Sequence, residues 1–107
     1  MANNYKNAKL DLTATTVTTL YTAPAATQSI FKSILVSNDS GSDDTVTLTI
    51  TNSAAAVFSV YKNEEVGALS SKELLSQPLV VMESEILKVT VATADRLHVV
   101  ASYLEIT

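Results

Sequence analysis

The 107-residue chain contains no cysteine and no tryptophan, and only two glycines and two prolines. Without thiols there is no disulfide framework and no thiolate metal site. Stability must then come from packing, with neighbouring subunits as a further source. Two glycines leave room for few tight primed turns, so Asn, Asp and Ser must carry most of the turn geometry. Basic residues are also scarce: seven against eleven acidic ones, for a formal net charge of -4. Lys6, Lys9, Lys32, Lys62, Lys72, Lys88 and Arg96 are scattered singly. A nucleic-acid footprint needs a cluster of bases that displaces several counterions, so no direct binding to DNA or RNA is expected. No unbroken apolar stretch approaches the ~20 residues that span a bilayer, and no membrane partner is expected. The polar start from Met1 to Asn7 leads into no apolar run, which predicts no secretory signal and synthesis in the cytoplasm. A Gly-rich phosphate loop is missing too.

What is present is aliphatic and β-branched. Apolar residues make up 47% of the chain and charged ones 17%, a globular balance with room for one domain. The main signal is period-2 alternation, which sends successive side chains to opposite faces of a sheet. It is cleanest from Thr45 to Thr51, where Val46, Leu48 and Ile50 form one face and four threonines the other. Ile30–Asn38 places Ile30, Ile34 and Val36 on one side, with Lys32 interrupting, and Phe31, Ser33 and Leu35 on the other. Ile86–Val91 and Leu97–Ile106 follow the same rule. Weaker strands are expected at Lys6–Leu12, Val17–Thr22, Val57–Lys62, and from Glu73–Leu75 towards Leu79 and Val80. About eight short strands at this spacing predict an all-β antiparallel β-sandwich, jelly-roll or Ig-like, with a closed barrel left open. The whole of 1–107 forms the domain, residues 1–12 being an extended N-terminal arm or an edge strand.

Turn chemistry falls between these runs. Asn38–Asp44 reads as a hairpin loop, and Asn63–Gly67 and Ala92–Asp95 as shorter connections. Pro24 and Pro78 sit where a ladder must break. Ser70–Ser76 has a helix-like composition with Ser as its cap and ends within a turn or two at Pro78; a helix, a strand and an irregular link fit it equally.

Few residues invite chemistry. His98 is the sole histidine and lacks any triad or metal-ligand spacing, so it reads as a packed or interface residue. The loop Asp39–Asp44 offers three carboxylates to a hard cation but lacks the EF-hand order, and an ordinary turn uses the same residues. Glu64–Glu65 and Glu83/Glu85 are sequence neighbours that cannot face each other across a glycosidic bond, and they suit a charged edge. The threonine row reads as the solvent side of a sandwich rather than a sugar- or ice-binding face. No enzyme activity and no cofactor are expected.

The last strand breaks the pattern. Leu97, Val99, Ala101 and Tyr103 make one face, and Val100, Leu104 and Ile106 much of the other. A strand half-exposed to water should not be apolar on both sides. Phe31 and Leu35 give their strand a similar second apolar face. Either the N-terminal segment folds over these positions or another subunit covers them, and homo-oligomerisation is the preferred expectation.

Tyr5–Lys9, Leu20–Pro24, Ile34–Gly41, Glu85–Val89, Arg96–Val99 and Leu104–Ile106 together resemble the small virion structural proteins of tailed bacteriophages, especially phages of marine bacteria and cyanobacteria. The likeness spans nearly the whole chain, and its motifs are structural rather than catalytic. It implies a β-sandwich present in many copies per particle. It also implies a role as a capsid decoration (cement) protein between major capsid subunits, or as a neck, tail or fibre component. A host-surface glycan-binding adhesion module is the reading from another class. Contacts to other virion proteins are expected through the arm residues Tyr5, Lys6 and Lys9, and through Phe31, Leu35, Val100, Leu104 and Ile106.

Overall fold

The computed structural model describes residues 3–107. Nine strands form two antiparallel sheets: β1 (Asn3–Asp11), β2 (Thr18–Thr22), β3 (Gln28–Asn38), β4 (Asp44–Thr51), β5 (Val57–Val66), β6 (Ser71–Glu73), β7 (Leu79–Val81), β8 (Ile86–Val91) and β9 (Leu97–Ile106). The first sheet runs β1-β9-β3, and both β6 and β7 pair with β3; the second runs β2-β8-β4-β5. The pairings are nested: β1 with β9, β2 with β8, β3 with β6 and β7, and β4 with β5. A long antiparallel ribbon folded over at the β4–β5 hairpin and rolled up gives this order. The domain is therefore a jelly-roll sandwich rather than an Ig-like one. Residues 6–12 of the expected N-terminal arm are edge strand through Asp11, and the strand begins earlier, at Asn3. Of that range, Met1 and Ala2 lie outside the described residues.

The core follows from the alternation. Val46 and Leu48 on β4, Leu87 and Val89 on β8, and Leu97, Val99 and Ala101 on β9 are essentially inaccessible. Tyr21, Phe31 and Tyr103 form an aromatic cluster between the sheets, with Phe31 and Tyr103 stacked at 4.6 Å and Tyr21 edge-on to Phe31 at 5.1 Å. Among the described residues no helix is long and apolar enough to cross a membrane.

Several expectations need correction. Phe31 is not on an exposed second face; it is fully buried. The reason is a β-bulge. Phe31 pairs with Tyr103 and Ser33 with Ser102, so Lys32 is an extra residue and the inward parity shifts from 29 and 31 to 34 and 36. Asn38–Asp44 is not a hairpin loop, because β3 and β4 lie in different sheets; it arches between them. Asn63–Val66 is strand rather than turn. The residues pair with β4 through register shifts around Leu48, with Asn63 at φ 52° and its N–H donating to Thr47 Oγ1. The connection is Gly67–Ser70. Thr51 of the threonine row is buried, whereas Thr45, Thr47 and Thr49 are half-exposed. The segment from Glu73 to Val80 is two strands, with Pro78 in the break. The carboxylate of Glu73 bridges it, accepting the N–H of Ile34 at 2.7 Å, the N–H of Leu75 at 3.1 Å and the hydroxyl of Ser33.

The left-handed turn positions also differ from expectation. Asn63, Ser84 and Asp95 adopt positive φ, as turn residues should, but so do Ala26, Ala55 and Leu69; neither glycine does.

Candidate interaction surface

Strand register aligns the outward side chains of the first sheet into rows. Tyr5 pairs with Leu104, Leu104 with Ile30, and Ile30 with Val80, so one apolar stripe crosses four strands. Strands ~4.8 Å apart make it ~15 Å wide. Tyr5 is 77% exposed and Val80 50%, with Leu104 and Ile30 half-buried between them. A second row holds Lys9, Val100, Leu35 and Glu73, again in register. Val100 and Leu35 are exposed there.

Between the rows lies a polar trough. Asn7 pairs with Ser102, and Ser102 with Ser33. A groove of about 430 Å³ lies at the far end of the face, where Ile106 meets Gln28 and Met82. One of about 310 Å³ lies at the trough, lined by Tyr5, Lys6, Asn7, Lys32, Ser102 and Tyr103. The Lys32 ammonium stands 5.8 Å from the centre of the Tyr5 ring.

Of the residues expected to make contacts, Tyr5, Lys9, Leu35, Val100, Leu104 and Ile106 share this outer face. Phe31 does not, because the bulge turns it inward. Lys6 points the other way. Its Nζ lies 2.7 Å from Oε1 of Glu105, a carboxylate buried between the sheets. Tyr21 donates its hydroxyl to Glu105 Oε2 at 2.5 Å, so the Ser29 hydroxyl, 2.5 Å from the Tyr21 oxygen, donates to it. The Lys6 ammonium and then the Tyr21 hydroxyl hold Glu105 below the ordinary carboxylate range. Burial, and then the bond to Glu105, push the Tyr21 phenol far up. Lys6 therefore fastens β1 to the core. The N-terminal segment does not fold over the face either: β1 lies in plane beside β9 and widens it.

The sequence does not reveal the alignment of Ile30 and Val80 with Tyr5. Alternation assigns faces but not neighbours across strands.

The second sheet presents a different surface. Outward on β4 and β8 are Thr45, Thr47, Thr49, Lys88 and Thr90, with Thr47 beside Thr90 and Thr49 beside Lys88. Its apolar exposure is at the edge, at Val57 and Phe58.

The polar candidates are engaged in the fold. Asp44 is buried and accepts the N–H groups of Thr45 and Thr93; Asp43 accepts that of Ala68 at 2.8 Å. Asn38, also buried, donates to the carbonyls of Ser42 and Val66 and accepts from Ser40. These bonds make the Asp39–Asp44 segment a braced arch. Among the described residues, no cluster of three or more His, Asp or Glu is placed to hold a metal. His98 lies on the outer face with Nε2 3.2 Å from Asp11 and Nδ1 3.7 Å from Asp39.

No family model matches the chain, and no curated protein matches it. A solved structure does align with it. Over 98% of its length the chain matches part of a chain described as "Structure of infectious bursal disease virus Gt strain", at 11% identity and a TM-score of 0.47. It spans 30% of that chain.

Proposed function

We propose that this protein is a non-enzymatic structural subunit of a virus particle, held there through the outer face of its β1-β9-β3-β7 sheet. The observation that carries the reading is the in-register stripe Tyr5–Leu104–Ile30–Val80, exposed on one sheet while the other presents threonines. A monomer that worked alone would gain nothing from that asymmetry, because a sheet face meant for water alternates cleanly to polar. Jelly rolls with filled interiors are a common building unit of viral capsids, although lectins and cupins use the same wrap. The finer reading is a capsid decoration protein of a tailed bacteriophage, seated between head subunits; a neck, tail or fibre position is the alternative. It follows from the family resemblance of the sequence together with this face. The rival reading, a glycan-binding adhesion module, has one point in its favour: the exposed Tyr5 ring beside Asn7 and Ser102 in the trough.

The test is incorporation. Particles assembled with the Leu104→Gln/Val80→Glu double variant are expected to lack the protein, while the wild type co-sediments with them. Absence of the wild type from purified particles would end the structural reading, and glycan binding abolished by Tyr5→Ala would replace it.

A further inference from the structure

The formal charge of the chain is unevenly placed. All five aspartates lie in the loops at one end of the sandwich or on the strand residues bordering them: Asp11 at the end of β1, Asp39, Asp43 and Asp44 along the arch to β4, and Asp95 before β9. With Arg96 they account for the whole net charge of -4, since six Glu and six Lys cancel elsewhere. Leu69 projects from this end and is 76% exposed. It adopts a left-handed φ of 56°, a conformation that costs a non-glycine residue on the order of 1 kcal/mol. The turn is braced against the aspartate arch: the Leu69 N–H donates to the Ser40 carbonyl at 3.1 Å and the Ala68 N–H to Asp43. Neither burial nor backbone preference accounts for a leucine there, which is the pattern of a residue held out for contact.

The outer face carries the complement. Its second row puts Leu35 and Val100 side by side with Lys9 at one end, and Lys32 stands in the adjacent trough. Neither lysine has a carboxylate within ion-pair distance among the described residues, where the lysine pairs are Lys6–Glu105 and Lys72–Glu64. Two such faces laid against each other would leave Leu69 and the aspartate-rich end in water.

We infer that the occupant of this face is the aspartate-rich end of a second copy of the chain. Leu69 rests between Leu35 and Val100, and Asp39 and Asp43 approach Lys9 and Lys32. The inference rests on the reading of the face as a docking surface and names its partner. The contact is heterologous, one end to one face, so each pair leaves one end and one face free and assembly propagates into a ring or a filament. Opposite charges set the register and the encounter rate, and the apolar side chains supply the affinity.

The experiment is sedimentation velocity and native mass spectrometry of the purified chain at low and high salt. The wild type is expected to give a series of species beyond dimer that shortens in high salt. Leu69→Asn, which tolerates the left-handed turn, and Leu35→Gln/Val100→Gln should each weaken association about tenfold or more, the factor expected for one lost buried aliphatic side chain. Mixed together, these two variants should form a heterodimer and stop there, because one good end meets one good face. Circular dichroism melts matching the wild type exclude misfolding as the cause. A wild type that stays monomeric at high micromolar concentration overturns the inference, as does a dimer that Leu69→Asn leaves intact. If the chain is monomeric yet the Leu104→Gln/Val80→Glu variant still drops out of particles, the particle reading stands and this partner is wrong. If the chain self-assembles through Leu69 but is absent from particles, this partner stands and the particle reading is wrong.

Discussion

Removing the Tyr21 hydroxyl tests how far one buried network secures the first sheet. Tyr21→Phe keeps the ring, and with it the packing against Phe31 and Tyr103. It deletes two bonds at once, to Glu105 Oε2 and to Ser29 Oγ, both 2.5 Å long. The first is made to an ionised carboxylate that is 5% exposed, and Ser29 is fully buried. A hydrogen bond to a charged group contributes about 1.5–3 kcal/mol, and an orphaned buried hydroxyl costs about 1–3 kcal/mol. Allowing for overlap and relaxation, a loss of about 3 kcal/mol is expected. A domain of this size loses roughly 4–8 °C of Tm per kcal/mol, so the melt should fall by about 12–24 °C. Thermal melts across pH add a second reading. Glu105 titrates below its ordinary value of 4.5 in the folded protein, so its contribution is present above that value. It is lost as pH falls through the lower, folded-state value. The bond from Tyr21 is one cause of that lowering, so Tyr21→Phe should also flatten the acid limb of the stability curve. A variant that melts within about 2 °C of the wild type, well under the shift from 1 kcal/mol, with the acid limb unchanged, would refute the reasoning.

Other outcomes follow from the same structure. Phe31→Ala should destabilise by about 3–5 kcal/mol, a large share of a typical total of about 5–15, and chemical denaturation would read it. An exposed Phe31 would cost almost nothing. Asn38→Ala removes bonds to Ser42, Val66 and Ser40 from a buried side chain, and a loss of about 2–3 kcal/mol is expected in the same assay. At alkaline pH the Tyr21 and Tyr103 phenols are both held protonated beyond their ordinary value of 10.0, chiefly by burial. The stability they lend is complete below that value and falls as pH rises through the higher folded-state values. Ultraviolet titration of the native protein should therefore show these two tyrosines ionising late and together with unfolding.

The sequence made the strands legible wherever side chains alternate without interruption. Thr45–Thr51 and Leu97–Ile106 needed no tertiary information, and the doubly apolar last strand pointed correctly to the exposed face. Three things were hidden for physical reasons. A single bulge at Lys32 and Ser33 inverts parity, and nothing in Phe31-Lys32-Ser33 announces an extra residue, so strict alternation puts Phe31 on the wrong side. Asn63-Glu64-Glu65 looks like a turn because an edge strand needs few apolar residues, and a bulged one tolerates a positive φ at Asn63. Register across strands, which brings Tyr5, Leu104, Ile30 and Val80 into one stripe, is set by the sheet as a whole. The buried role of Glu105 could have been found. It falls on the inward parity of Leu97, Val99, Ala101 and Tyr103, and an acid on that side needs an internal partner.

The nested pairing also sets when this domain can exist during its own synthesis. β9 is the centre of the first sheet, holding β1 on one side and β3 on the other. Until the ribosome has released the residues through Ile106, β1 has no neighbour in its ladder and the edge of β3 that pairs with β9 stands bare. The β4–β5 hairpin can form early and locally, but the β1–β9 ladder must wait for closure between residues about a hundred apart in sequence, which is intrinsically slow. Truncation within the last ten residues should therefore leave chains with open strand edges that aggregate rather than a slightly weakened domain.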